Sequence, residues 1–238
     1  MAERSSGLTG NQLKILACAA MFGDHAAKAL QISGVPYFLL SRVLGRIAFP
    51  LFAFLLVEGF LHTKNRARYL FRLLLFALLS EIPFNLVIFK NLLHPEYQNT
   101  LWTLLLGLLL LICLERIESV REMRASLSWF LRILLIAGFS FGAWIFHADY
   151  SYRGIFCIAV FYLLRSVRPR SIAAFWASIG LNIPAINNPG AFFSMLPLHF
   201  YNGERGKLRL KYFFYLFYPL HLLLLLLLQQ LNSLPFKM

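Results

Sequence analysis

A few ionisable side chains interrupt otherwise apolar stretches of this sequence, and their spacing decides what they can do. Asp24 and His25 are adjacent in MFGDHAAKAL. Neighbouring helical residues point about 100° apart, so these two do not bond each other on one face, whereas Asp24 and Lys28 at i,i+4 can pair. His25 is left to face a bundle interior, where an imidazole titrating near neutrality is the natural proton acceptor. Glu58 and His62 share a face at i,i+4 in LLVEGFLHT, and Glu81 and Asn85 share another in SEIPFNL. Arg42 and Arg46 repeat the spacing where the second helix opens, and Tyr218 and His221 stand three apart around Pro219 in FYLFYPLHLL. Together these groups suggest a polar interior within an apolar shell. For each pair, a hydrogen bond between packed helices is the competing reading. The sequence has no GxSxG elbow, Walker loop, HExxH or zinc-ligand spacing, which removes serine hydrolase, NTPase and metalloprotease chemistry and predicts no metal.

The elements that must position these groups follow from composition. Of 238 residues, 59% are hydrophobic and 14% charged, with a mean hydropathy of +0.66. Soluble domains average about 45–50% apolar and about 25% charged, so this chain cannot coat a soluble globule. A cytosolic enzyme, a disordered chain and a secreted disulfide scaffold are excluded. Cys18, Cys113 and Cys157 lie far apart inside apolar runs and read as small packing residues. A retained N-terminus is expected, because Asp24 and His25 interrupt the uninterrupted apolar core that a cleaved signal needs.

The fold class predicted is an all-α, polytopic transmembrane helical bundle of about nine spans (eight to ten), in a single domain covering 1–238. Helices are expected near 12–30, 40–62, 68–89, 100–116, 127–147, 153–166, 171–187, 190–202 and 211–231. The sixth and eighth are short for full spans, and the eighth, containing Pro197, has a re-entrant alternative. With this parse, 17 of the 23 Lys and Arg fall on one side of the membrane and 6 on the other. By the positive-inside rule the N-terminus is predicted cytoplasmic and, with nine spans, the C-terminus outside. The net charge of +13 is thereby explained without a nucleic-acid partner. Three of the ten acids, Asp24, Glu58 and Glu81, remain at membrane depth, where an ionisable group is a functional candidate by default.

Several stretches taken together resemble the TraX family: LTGNQLKILACAAMFGDH (8–25), GRIAFPLFAFLLVEGFLHT (45–63), LLLFALLSEIPFNL (73–86), NTLWTLLLGLL (99–109) and KYFFYLFYPLHLLLL (211–225). The namesake of that family is an inner-membrane protein that acetylates the N-terminus of F-type conjugative pilin. The resemblance implies an acetyl-CoA-dependent integral-membrane acyltransferase of the bacterial inner membrane, related to those that O-acetylate surface glycans. The acetyl donor would arrive from the cytoplasm, and the acceptor, a pilin, glycan or small molecule, would be met at the outer side or within the lipid. The family's Asp-His falls on Asp24 and His25, its GRIAFP and VEG-HT elements on Arg46, Glu58 and His62, its SEIP element on Glu81, and its YPLH on Tyr218 and His221. An acidic-aromatic turn falls on Asp149, Tyr150 and Gly154, and the NG-RG loop on Asn202, Gly203, Arg205 and Gly206.

On that reading His25 is the base, Asp24 supports it directly or through Lys28, and Glu58, Glu81, Tyr218 and His221 complete the catalytic set. Arg42 and Arg46, or Tyr218, would stabilise an oxyanion. Arg42, Arg46, His62, Arg66, Arg68, Asn202, Arg205, Lys207 and Arg209 are the donor-binding candidates, although topology alone accounts for the basic clusters. Asp149, Tyr150, Arg153 and Asn85 are assigned to the acceptor. Direct transfer and an acetyl-histidine intermediate remain open, a membrane transporter or a non-catalytic assembly factor is the alternative function, and the oligomeric state is not legible.

Overall fold

The computed structural model describes residues 7–207 and 211–233, and these form nine helices with no strand among them. In chain order they are α1 (Gly10–Ala29), α2 (Gly34–His62), α3 (Arg66–Phe89), α4 (Thr100–Ser119), α5 (Ala125–Ile145), α6 (Ser151–Leu163), α7 (Arg170–Leu181), α8 (Met195–His199) and α9 (Lys211–Ser233). Polar residues before the apolar runs start several of them. The Thr9 hydroxyl accepts from the Gln12 N–H while the Gln12 carboxamide accepts from the Thr9 N–H, a reciprocal cap for α1. Asn65 and Asn99 cap α3 and α4 by accepting from the Arg68 and Leu101 N–H groups.

Among the described residues five helices are long and apolar enough to cross a membrane: α2, α3, α4, α5 and the Phe213–Asn232 part of α9. The expected count of about nine spans (eight to ten) is not confirmed by these helices. α6, α7 and α8 have 13, 12 and 5 residues. The predicted seventh helix, 171–187, overshoots because Asn182 and Asn188 close a turn behind Leu181. The Asn182 amide donates to the Ser178 and Asn188 carbonyls, its oxygen accepts from the Asn188 N–H, and the Asn188 amide donates to the Leu181 carbonyl. These bonds occupy the carbonyls a helix end leaves open. The predicted eighth helix, 190–202, divides into a 3-10 turn, Pro189–Ser194, and the short α8.

Lipid tails are as apolar as leucine, so close packing and hydrogen bonds, rather than expulsion of water, must hold such a bundle together. Leu13, Phe49, Phe60, Leu108, Ile155 and Ile158 are fully enclosed where α1, α2, α4 and α6 meet. A second cluster, including Met21, Phe84, Leu222 and Leu225, joins α1 and α3 to α9. α5 instead turns most of its large side chains outward, including Trp129, Phe130, Ile133 and Phe141, and packs on the core through Leu135, Ile136 and Phe139.

The two ends of the bundle differ. At one, the basic loops converge: Arg66 pairs with Glu115 at 2.8 Å, and Glu118 with Arg165 at 2.7 Å and Arg132 at 3.6 Å. The start of α1 is tied there to the 200–205 loop through the Leu8, Gly10 and Asn11 N–H groups. At the other end Gln98 bonds the His147 carbonyl and Tyr97 bonds Asp149. α9 rises from the basic end, and its Gln229 amide donates to the Ala29 and Val87 carbonyls at the far end. α7 and the 189–199 segment pack as a short out-and-back pair, so α9 starts from the same end of the bundle as α1.

Inside α2 the residues Phe38–Leu44 form a π-helical segment, followed by a 3-10 turn at Gly45–Ile47. The 3-10 turn at 189–194 rests directly on this segment. A Cβ on Gly190 would come 2.1 Å from the Val43 carbonyl oxygen and 2.7 Å from that of Arg42. Those are backbone atoms that cannot swing aside. Gly190→Ala is expected to cost about 3 kcal/mol of stability, the upper part of the overpacking range. It should show as a lowered unfolding midpoint of the detergent-solubilised protein; an unchanged midpoint would contradict this contact.

Candidate active site

His25 of α1 and His221 of α9 meet in the interior, each 4% exposed. His25 Nδ1 lies 2.8 Å from His221 Nε2, and the rings are nearly coplanar and edge to edge, with centroids 5.1 Å apart and 6° between planes. On its far side, His221 Nδ1 is 2.8 Å from the Phe217 carbonyl oxygen one helical turn back. Tyr218 and Phe84 meet the His25 ring edge-on at 6.1 and 6.3 Å between centroids. Apolar neighbours thus enclose two polar rings that satisfy each other, the arrangement required of polar groups in lipid.

Asp24, one residue earlier, points elsewhere. Its Oδ2 accepts from Lys28 Nζ at 2.7 Å and its Oδ1 from the Ser41 hydroxyl in the π-helical segment. α2 approaches this carboxylate closely only because residue 45 is glycine: a Cβ there would lie 2.6 Å from the Asp24 Cβ. Arg46 follows, facing the Tyr150 hydroxyl and near enough to Asp24 and Asp149 to interact with both charges.

Asp149, in the turn before α6, accepts from the Thr100 and Tyr97 hydroxyls. Its charge is the chief reason the Tyr97 hydroxyl titrates well above the ordinary tyrosine range. The Tyr150 ring stacks on Phe49 with centroids 3.7 Å apart. Glu81 Oε2 accepts from Trp102 Nε1 at 2.9 Å and from the Asn99 amide, while Oε1 is buried without a hydrogen-bond partner. Tyr218 lies within electrostatic reach of Asp149 and Glu81 and beside Thr100.

From the basic end a cavity of about 790 Å³ runs inward between α1, α2, α3 and α9. Lys14, Lys64, Arg68, Arg72 and Arg205 line it, with Tyr69, Phe76 and Tyr215 on its wall and Tyr218 and Leu101 also lining it. Its size is that of a small-molecule site. Tyr218 is shared: it borders the cavity and also meets the His25 ring.

The TraX protein family model matches residues 9–229. The chain belongs to the TraX family. A probable fimbrial assembly protein, FimC of serogroup H1 from Dichelobacter nodosus, is 32% identical over 244 residues, covering 92% of this chain and 95% of the relative. No solved structure matches. The TraX match runs from Thr9, the cap of α1, to Gln229, the tie between α9 and the far ends of α1 and α3. It encloses the histidine pair, the carboxylates and the cavity.

Within this TraX chain the expected residues separate into groups. His25, His221, Tyr218, Asp24, Arg46, Glu81, Asp149 and Tyr150 surround one interior region. Asn85 is buried on α3 one turn from Glu81, with its Oδ1 unpartnered. Arg68, Arg205, His62 and Glu58 line the cavity. Glu58 does not use His62 as a side-chain partner: its carboxylate takes Arg170 at 3.4 Å and the Tyr201 hydroxyl at 3.1 Å, while His62 Nδ1 reaches the Glu58 carbonyl at 2.8 Å.

Other expected site residues among those described lie apart from the cavity lining. Arg42, inside the π-helical segment, is exposed, whereas Arg46 in the 3-10 turn faces Tyr150, Asp24 and Asp149. Arg66 is occupied with the Phe60 and Thr63 carbonyls at the end of α2 and with Glu115, outside the cavity lining. Asn202 braces its own loop, accepting from the Glu204 N–H at 2.9 Å. Lys207 is exposed and does not line the cavity. Arg153 lies along the ring of its neighbour Tyr152, 5.6 Å from its centroid. Arg209 lies outside the described residues. Lys14 and Arg72, which enter the sequence reading only through the 17 cations of the basic side, both line the cavity. Lys14 is legible in retrospect: eleven positions before His25 is three turns of one helix face, about 16 Å along it.

Proposed function

We propose that this protein is an integral-membrane acyltransferase that moves an acetyl group from acetyl-CoA to an amine or hydroxyl acceptor at or across a bacterial inner membrane. The basic end would face the cytoplasm, with nine helical segments and the C-terminus outside. The observation that carries the reading is the cavity from the cationic rim to Tyr218, against which His25 packs. Lys14, Arg68, Arg72 and Arg205 suit the phosphates of a nucleotide-bearing donor, and Tyr69 and Tyr215 offer aromatic faces for a base. The acceptor would approach from the Asp149 end. The name of the Dichelobacter relative, a probable fimbrial assembly protein, makes a pilin an acceptor to try first.

In the reaction His25 takes the acceptor's proton as the acceptor nitrogen or oxygen bonds to the acetyl carbonyl carbon. The carbon–sulfur bond then breaks, and the proton passes to the departing thiolate. Tyr218 or Arg46 supplies positive potential to the oxyanion. Enclosure of His25 among Phe84, Tyr218 and His221 keeps water from the acetyl group.

The experiment is release of free CoA thiol from acetyl-CoA by the purified protein in lipid nanodiscs, with a pilin N-terminal peptide or a hydroxyl acceptor added. Acceptor-dependent release is expected. Lys14→Ala with Arg72→Ala should raise the KM for acetyl-CoA by about tenfold or more while kcat changes little, the pattern of lost uniform binding. No release with any acceptor would sink the proposal, and an unchanged KM would remove the cavity as donor site.

A further inference from the structure

The buried histidine pair carries more information than its proximity, because one end of the chain of contacts has no hydrogen to give. A carbonyl oxygen only accepts, so the hydrogen between it and His221 Nδ1 belongs to the imidazole. A neutral His221 then has a bare Nε2. That atom faces His25 Nδ1 at 2.8 Å, so the hydrogen of this second bond sits on His25. One tautomer of His25 remains: Nδ1 protonated, Nε2 bearing the lone pair.

We infer that His221 is a positioning residue that fixes His25 as the Nε2 base, occupying the place a carboxylate holds in more familiar triads. Asp24, the nearer acid in sequence, is not available for this task. Lys28 and Ser41 engage its two oxygens, and no bond joins it to the His25 ring. The two rings lie edge to edge and nearly coplanar, 6° apart, which aims the donor N–H along the acceptor's in-plane lone pair. Stacking of Phe217 on His221, 4.8 Å between centroids, fixes the second ring in turn. Any turnover effect of the relay rests on the acyltransferase reading; the tautomer itself does not.

The test is nitrogen-15 NMR of histidine-labelled full-length protein in nanodiscs, with the His25 signals identified by their loss in His25→Gln. The wild type is expected to show a protonated Nδ1 and an unprotonated Nε2 at His25. His221→Gln keeps both an N–H for the Phe217 carbonyl and an oxygen for His25 Nδ1, and should preserve that signature. His221→Phe, which fills the space but accepts nothing, should lose it. In the thiol-release assay His221→Phe should lower kcat by about 10²-fold with KM for acetyl-CoA within about twofold, and His221→Gln should restore most of the loss. A wild-type His25 protonated on Nε2, or an unaltered tautomer in His221→Phe, would overturn the inference. The expected tautomer in a wild type that turns over no acetyl-CoA would support the relay and refute the acyltransferase reading.

Discussion

Replacing His25 with alanine is expected to lower acceptor-dependent thiol release by about 10³-fold, within the range assigned to a positioned general base. Alanine suits a helix interior, and the hydrogen bond lost is one to a histidine that keeps its Phe217 contact. The variant should therefore purify with the size and helix content of the parent. The assay reads the chemistry, and gel filtration with circular dichroism reads the fold. Full turnover in a normally folded His25→Ala protein would remove this residue from the mechanism. Loss of turnover together with loss of fold would be resolved by His25→Gln, which keeps a donor for His221 but no imidazole base.

The second large effect concerns stability. Glu58 and Arg170 form an ion pair with side chains 13% and 7% exposed. Removing one member of a buried pair strands the other charge, which costs about 3–5 kcal/mol, whereas replacing both with apolar residues is often close to neutral. Glu58→Leu should destabilise by that amount and also leave the Tyr201 hydroxyl without its acceptor. Glu58→Leu with Arg170→Leu should recover most of the loss. Equilibrium unfolding in mixed micelles measures both. If the double variant were as unstable as the single one, the cost would lie in something other than the stranded guanidinium. This pair also gives Glu58 a structural role. Glu58, a functional candidate by its depth, holds α7 and the Tyr201 loop against α2 through these contacts.

The penalty on charge in lipid makes the histidines, Asp24 and Glu81 visible in a string of apolar letters, and it made their gathering predictable. The 3.6-residue period made the Asp24–Lys28 pair legible at residue level, because both lie on one continuous turn of α1. Helix existence was legible for the same reason: apolar runs of sufficient length have few alternatives. The partners across helices were not. Nothing local couples position 25 to position 221, or Glu58 to Arg170, since those contacts depend on which faces α1, α2, α7 and α9 present after packing. The C-terminal end of α7 was misplaced because Asn182 and Asn188 act as a pair six residues apart, a side-chain brace that periodicity does not register. Lys14 was hidden by an explanation that was already sufficient, namely membrane orientation.

The π-helical turn at 38–44 has a consequence for comparing this chain with others. Such a turn accommodates one residue more than an α-helix over the same rise, as a single insertion into an ordinary helix would. Its effect is a phase change of about 100° between the residues before and after it. Ser41 reaches Asp24 by virtue of that offset, and Arg46 reaches Tyr150 on the other side of it. A relative shorter by one residue in this interval would wind straight through. Aligned without a gap, its letters would match while its side chains faced different neighbours. Equivalence in this part of the helix has to be judged by what lies opposite Asp24, and not by counting from the conspicuous GRIAFP that follows.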